Sequence, residues 1–151
     1  MPVIVIGADT PLGGVILEGL MPRESEVRAF VSDVDTGLEL RRRGAKVAIG
    51  DLSDGSHVGG AATRAFCAIF VASAAVDDRE RSFADSPLEV YQQWRDGLVG
   101  SGVERVLWVD ENPPPSFIAA SAPETVHVDV SAKTPQEVAE EVARLEDAQS
   151  V

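Results

Sequence analysis

A chain of 151 residues, 44% of them hydrophobic, is long enough to form one domain with its own core. Its 25 acidic and 13 basic residues give a formal net charge of −12, which disfavours binding to the phosphate backbone of nucleic acids. No apolar run approaches the roughly 20 residues of a membrane span, and a predicted strand that starts at Val3 leaves no room for a signal peptide, so we expect a cytoplasmic protein.

The N-terminal stretch joins a short β-branched run, Val3–Ile6, to the glycine-rich residues 7–14. An uninterrupted apolar run of this length predicts a strand buried on both faces. The glycines allow a sharp turn into a helix that starts at Pro11. Such a junction directs backbone N–H groups and the positive end of a helix dipole to one point, so it predicts a phosphate-binding site.

Strands and helices alternate along the rest of the chain. The predicted strands are residues 27–31, 46–49, 67–72, 106–109 and 126–130, and the predicted helices are residues 11–21, 36–43, 57–64, 87–98 and a last helix from 135. The last two of these helices start with a hydroxyl N-cap, a proline and then a glutamate, at Ser86 and Thr134. The proline run 113–115 predicts irregular structure before the sixth strand.

This alternation predicts one α/β domain over residues 1–151, with a parallel sheet covered by helices on both faces. We expect a three-layer, doubly wound sheet of about six strands in the order 3-2-1-4-5-6. Ligands of such sheets bind beyond the carboxyl ends of the strands, where the strand order reverses. The alternating pattern of residues 126–130 is typical of an edge strand, where self-association into a homo-oligomer is also conceivable.

The chain resembles the NmrA-like and atypical short-chain dehydrogenase (NAD-dependent epimerase/dehydratase) proteins, which have a Rossmann fold. The resemblance covers roughly two thirds of the chain and rests on four stretches in the family's order: residues 5–13, 27–33, 50–54 and 100–106. It implies a truncated member of the family, because only one more strand and helix follow and the family's substrate-binding part is expected to be missing.

The resemblance also implies a dinucleotide site built from four turns. The residues it assigns are Gly7, Thr10, Leu12 and Gly13 at the pyrophosphate, Ser32 and Asp33 at the adenosine ribose, Asp51 and Leu52 at the adenine, and Ala72 and Ser73 at the second sugar. Asp9 belongs to the same first turn and is a candidate cofactor-binding residue, although its charge close to a pyrophosphate weakens binding.

Thr10 stands where the family has a glycine that lets the phosphates approach the backbone. Two interpretations of this residue are open. Thr10 is either an N-cap that precedes Pro11 at the first helical position or a hydroxyl donor to a phosphate.

The turn after the second predicted strand favours NAD over NADP as the dinucleotide. NADP-binding relatives tend to carry an arginine here that pairs with the 2′-phosphate, whereas this chain has Ser32. Asp33 and Asp35 would accept hydrogen bonds from ribose hydroxyls and repel an added phosphate. The alternative interpretation is that these aspartates only cap the following helix.

The family's catalytic residues have no counterpart in this chain. Short-chain enzymes use a Tyr-x-x-x-Lys pair after the fifth strand, in which the lysine lowers the tyrosine pKa. Residues 112–123 contain neither a tyrosine nor a lysine, and Tyr91 with Arg95 lies one helix too early. His57, His127 and the single Cys67 show no metal-ligand spacing, so we expect no metal site and no disulfide.

Three hypotheses follow. The leading one is a dinucleotide-binding module that lacks catalysis and acts as a nucleotide-responsive or interaction protein. The second is an NAD-dependent oxidoreductase or epimerase that uses atypical acids such as Asp110 or Glu111. The third is a Rossmann-like scaffold that binds no nucleotide.

Overall fold

A computed structural model describes all 151 residues. The strands are β1 (Val3–Ile6), β2 (Val27–Val31), β3 (Lys46–Ile49), β4 (Cys67–Val71), β5 (Arg105–Asp110) and β6 (Glu124–Asp129). The helices are α1 (Pro11–Leu20), α2 (Val34–Arg42), α3 (Gly55–Ala62), α4 (Pro87–Leu98), α5 (Ser116–Ala119) and α6 (Pro135–Asp147). All six strands are parallel, in the order β3-β2-β1-β4-β5-β6, which confirms the predicted architecture. None of the helices has the length and apolarity needed to cross a bilayer.

Capping side chains move several element boundaries from the predicted positions. Helix α2 starts two residues before the predicted Thr36 because Asp33 caps it, and α3 starts early because Asp54 accepts a hydrogen bond from the His57 amide. Strand β4 ends at Val71, where a 3₁₀ turn (Ala72–Ala75) follows. A single helical turn, α5, forms directly after the prolines, where the sequence predicts only irregular structure.

Alternate residues of β1 point to opposite faces of the sheet and enter two separate cores. Val3 and Val5 pack on the side of α1 and α6, whereas Ile4 and Ile6 pack on the side of α3 and α4. All four side chains are fully buried. The central strand therefore joins two apolar layers, as its continuous β-branched run predicts.

A buried arginine joins the strands β5 and β6 to the end of the last helix. The fully buried guanidinium of Arg105 donates hydrogen bonds to the carbonyls of Leu145 and Ala148 at the end of α6, at 2.8 and 2.6 Å. It also pairs with Glu124 and lies over the ring of Phe66. Arg105 satisfies carbonyls that the helix end leaves without partners.

Helices α3 and α4 approach each other closely through glycines. A Cβ added to Gly59 would overlap the carbonyl oxygen of Gly97, and one added to Gly97 would overlap that of Gly55. By contrast, a Cβ on the neighbouring Gly60 would meet no atom within 4 Å. The contact holds α4 beside α3 on one face of the sheet.

We expect Gly59→Ala to lower the free energy of unfolding by about 1–3 kcal/mol, because the added methyl must push two packed backbones apart. The matched Gly60→Ala variant should raise it by up to about 1 kcal/mol, since alanine loses less backbone entropy in a helix. Urea denaturation of both variants checks this. Equal effects at the two positions would contradict the close helix contact.

Candidate functional site

The turn after β1 is stabilised by its own side chains. Gly7 takes a φ of +93°, a conformation that favours glycine, and the Thr10 hydroxyl donates to its carbonyl at 2.8 Å. The same hydroxyl accepts a hydrogen bond from the Gly13 amide at 2.9 Å. Thr10 is buried and acts as the N-cap of α1, so both hydrogen-bonding functions of its hydroxyl serve the turn.

Three backbone donors of this turn, the amides of Ala8, Asp9 and Leu12, make no hydrogen bond. Pro11 has no N–H group, and the amide of Leu12 donates to no backbone carbonyl. The Leu12 amide lies in the first turn of α1, where the partial positive charge of the helix dipole is concentrated. Of the three unpaired amides in the turn, only that of Leu12 lies in the helix.

The crevice where the strand order reverses, between β1 and β4, is narrow. A Cβ on Gly7 would lie 2.9 Å from the Cβ of Ala74, because the 3₁₀ turn packs directly on the glycine. Ala72 is 1% exposed, so its side chain does not face the crevice as a sugar contact would require. Ser73, the other residue assigned to the second sugar, is exposed.

Asp9 connects the first turn to the second. One oxygen of its carboxylate accepts hydrogen bonds from the amides of Ser32 and Asp33, at 2.8 and 3.1 Å. The other oxygen accepts one from the guanidinium of Arg79 at 2.8 Å. The structure thus brings Asp9, Ser32 and Asp33 together as the resemblance implies, but it adds an arginine.

That arginine belongs to the β4–α4 loop, which comprises residues 76–86 and crosses the carboxyl ends of β1 to β3. The Ser82 amide of this loop donates to Asp51 at 2.7 Å, and the Phe83 amide donates to the hydroxyl of Ser53 at 3.0 Å. Both oxygens of Asp77 bind Arg79, at 2.8 and 2.7 Å. Sequence reasoning missed this loop because its run of charges, residues 77–81, looks like a solvated surface.

The other predicted residues differ in what they can offer a ligand. Asp33 uses one oxygen to cap α2 through Thr36, which lowers the pKa of Asp33 and leaves its second oxygen free. Burial tends to raise the pKa of Asp51, but hydrogen bonds from Ser53 and Ser82 hold it below the ordinary aspartate value. Leu52 is fully buried in the core, so its side chain cannot contact an adenine.

These residues surround a cavity of about 550 Å³ that has no hydrophobic lining residue. Its walls carry six carboxylates and one guanidinium, from Asp9, Ser32, Asp33, Gly50, Asp51, Asp77, Asp78, Arg79, Glu80 and Ser82. The local potential is strongly negative. A neutral polyhydroxylated group, which donates hydrogen bonds to carboxylates, suits this cavity better than an anion does.

Tyr91 is not arranged for proton transfer. Its ring packs edge-to-face on Trp108 with centroids 4.8 Å apart and tilts against Trp94 at 5.6 Å. Burial and the nearby Asp110 carboxylate raise the pKa of Tyr91, whereas a catalytic tyrosine needs a lowered pKa. Arg95 on the same helix pairs with Asp96. Tyr91 is half-buried in this cluster.

Solved structures match the chain, although no protein-family model and no curated protein does. A triphenylmethane reductase from Citrobacter sp. aligns with a TM-score of 0.78 and 14% identity, over 99% of this chain and 66% of that one. An anaerobillin reductase from Escherichia coli O157:H7 aligns with a TM-score of 0.75 and 15% identity, over 99% of this chain and 92% of that one. For a proposed NAD-dependent epimerase/dehydratase from Bacillus halodurans, the TM-score is 0.74 and the identity 19%, over 99% of this chain and 89% of that one.

These likenesses confirm the Rossmann-like fold. The structural neighbours are reductases and epimerase/dehydratase-type proteins, the groups to which the sequence resemblance points.

We expect Asp77→Asn to release the β4–α4 loop, because the amide cannot pair with Arg79 and Arg81 as the carboxylate does. Trypsin should then cleave after these two arginines several-fold faster than in the wild type. The control is Asp78→Asn, at an exposed neighbour that makes no hydrogen bond. Similar cleavage rates in the two variants would show that the ion pairs do not hold the loop.

The same carboxylate predicts a pH dependence of stability. Burial tends to raise the pKa of Asp77, but hydrogen bonds from Arg79 and the charges of both arginines lower it below the ordinary 3.8. A lowered folded-state pKa stabilises the protein fully above about pH 4, near the pKa of an unfolded aspartate. This stability is lost as the pH falls through the folded-state pKa. The difference in Tm between wild type and Asp77→Asn should therefore be constant from about pH 7 to 5 and should shrink below about pH 4.

Proposed function

We propose that this protein binds a nicotinamide dinucleotide in the crevice at the carboxyl ends of β1 to β3 and acts as a nucleotide-responsive module without oxidoreductase chemistry of its own. The observation that carries the proposal is the first turn, in which the Leu12 amide at the start of α1 is unpaired and Asp9 lines a polar cavity. Nucleotide pyrophosphates bind at this position in doubly wound sheets.

The residues around the cavity fit the adenosine half of such a ligand. The free oxygen of Asp33 and the hydroxyl of Ser32 lie at the end of β2, where a ribose hydroxyl group is held in this fold. A second cavity of about 710 Å³ lies over the first turn, between α1 and α2, and Gly14 and Asp9 contribute to its walls. Asp9 borders both cavities, so a ligand that spans them passes beside it.

The neighbours support a nicotinamide dinucleotide as the ligand class. One is a proposed NAD-dependent epimerase/dehydratase, and another, from Escherichia coli, is an NADPH-dependent quinone oxidoreductase, with a TM-score of 0.64 and 17% identity. For this chain we favour NAD over NADP, because six carboxylates around the ribose position oppose an additional phosphate.

The absence of a proton relay supports a role without catalysis. A dinucleotide-dependent enzyme of the resembled kind needs a tyrosine of lowered pKa, but the pKa of Tyr91 is raised and its ring lies in an aromatic cluster. The one-turn helix α5 supplies only Ser116, Phe117, Ile118 and Ala119. Bound NAD would supply a hydride acceptor, and this chain's residues would only bind and orient it.

We expect NAD to raise the melting temperature of the protein, since a ligand at a hundred times its Kd stabilises by about 2.7 kcal/mol. Gly14→Asp should weaken NAD binding by about tenfold, because it adds a carboxylate near the pyrophosphate position. Gly14→Asn, of the same size but uncharged, is the control, and the nearest atom to a new Cβ is 3.7 Å away. Thermal shift and calorimetric titration give both results.

Two outcomes would separate the alternatives. If none of NAD, NADP or ADP-ribose alters the melting temperature, the chain is a scaffold that binds no nucleotide. If NADH is consumed with a carbonyl or quinone acceptor and Asp110→Ala or Glu111→Ala abolishes that rate, the chain is an enzyme with atypical acids.

A further inference from the structure

Three hydrogen-bond donors converge on the carboxylate of Asp9. Two are the amides of Ser32 and Asp33 at the start of α2, and the third is the guanidinium of Arg79. All three lie between 2.8 and 3.1 Å from a carboxylate oxygen. Arg79 also lies 3.4 Å from the hydroxyl of Ser32, the residue at the end of β2.

Further contacts within the β4–α4 loop hold the guanidinium of Arg79 in place. The side chain of Asp9 is 6% exposed and that of Arg79 is 11% exposed. Asp77 holds the guanidinium of Arg79 from the other side with both of its oxygens. Arg81 binds Asp77 and the carbonyl of Ala74, which fixes the loop to the 3₁₀ turn. The position of the guanidinium is thus set independently of Asp9.

Two adjacent backbone amides just before a helix, together with a guanidinium, are suitable donors for a phosphate monoester. In a doubly wound sheet, a 2′-phosphate on the adenosine ribose binds an arginine at the end of β2. Here the arginine comes from the β4–α4 loop, and a carboxylate of the chain already occupies the place of the phosphate. A 2′-phosphate cannot replace Asp9 on these donors without leaving a buried, unpaired carboxylate against it.

We infer that Asp9 restricts the site to dinucleotides with an unphosphorylated ribose. Its carboxylate occupies a latent phosphate site that Ser32, Asp33 and Arg79 of the same chain form. The inference rests on the proposed function for the ligand class. A ribose hydroxyl donates to a carboxylate instead of competing with it, so Asp9 and the free oxygen of Asp33 tolerate NAD.

The test is the replacement of Asp9 by a smaller neutral residue. In the wild type, NAD should bind at least about tenfold more tightly than NADP, since a phosphate next to a carboxylate is strongly repelled. In Asp9→Ser the three donors are free, and the ratio of the two Kd values should shift towards NADP by at least about tenfold. Calorimetric titration of both dinucleotides measures the ratio.

Asp78→Ser is the matched control, because it removes one carboxylate from the same cavity without freeing a donor. It should shift the ratio by less than about threefold, the effect of one exposed, screened charge. A shift as large as that of Asp9→Ser would mean that overall cavity charge, and not Asp9, determines the preference. Adding Arg79→Met to Asp9→Ser should abolish the gain in NADP affinity, and a retained gain would contradict the role of the guanidinium.

A second measurement does not depend on dinucleotide binding. Inorganic phosphate, at an ionic strength matched with sodium chloride, should raise the Tm of Asp9→Ser but not that of the wild type. If Asp9→Ser does not fold, Asp9→Asn keeps an acceptor for the two amides but removes the negative charge, so it should still shift the ratio of the two Kd values towards NADP; an unchanged ratio would contradict the inference.

The two proposals fail separately. If the wild type binds no dinucleotide but phosphate stabilises Asp9→Ser, the proposed function is wrong and the latent phosphate site stands. If the wild type binds NAD but Asp9→Ser gains neither NADP nor phosphate, the inference about Asp9 is wrong. Equal affinity of the wild type for NAD and NADP would also overturn it.

Discussion

The carboxyl-end edge of this sheet depends on the carboxylate of Asp9. It receives hydrogen bonds from the turn after β2 and from Arg79 of the β4–α4 loop, while its own backbone belongs to the turn after β1. Three segments that share no secondary structure are therefore held in one arrangement. Loss of the carboxylate would leave the amides of Ser32 and Asp33 and one nitrogen of Arg79 without partners, although Asp77 would still pair with the guanidinium.

This arrangement changes which groups can bind in the crevice at the carboxyl ends of the strands. Some of the donors that a Rossmann-like fold offers to phosphates are satisfied within the chain, by Thr10 after β1 and by Asp9 after β2. What remains is three unpaired amides in the first turn, those of Ala8, Asp9 and Leu12, and a cavity lined by carboxylates. Under the proposed function, such a site discriminates by charge: it tolerates hydroxyl groups that donate hydrogen bonds and opposes each additional phosphate.

Aromatic side chains of α4 pack against those of β4 and β5. Phe70, Trp94, Trp108 and Tyr91 form a continuous aromatic cluster, in which Phe70 stacks on Trp94 with centroids 4.9 Å apart. The indole N–H of Trp94 donates to the carbonyl of Leu52, which ties the cluster to the end of β3. A phenol held in this way is stabilised in its neutral form and serves the core.

The sequence alone determined the alternation of strands and helices, the two-sided core and the caps at Ser86 and Thr134, because periodicity and capping are local and repeat within a few residues. The strand order followed from the general rule for such an alternation, and the cap at Thr10 was one of two open interpretations. Only the tertiary structure decided what surrounds the second turn. Asp9 and Arg79 lie 70 residues apart, and nothing local to either predicts that they pair. The burial of Leu52 likewise depends on α4, which packs over it through Trp94. Side chains that meet across loops are set by how the helices dock, which short-range patterns do not encode.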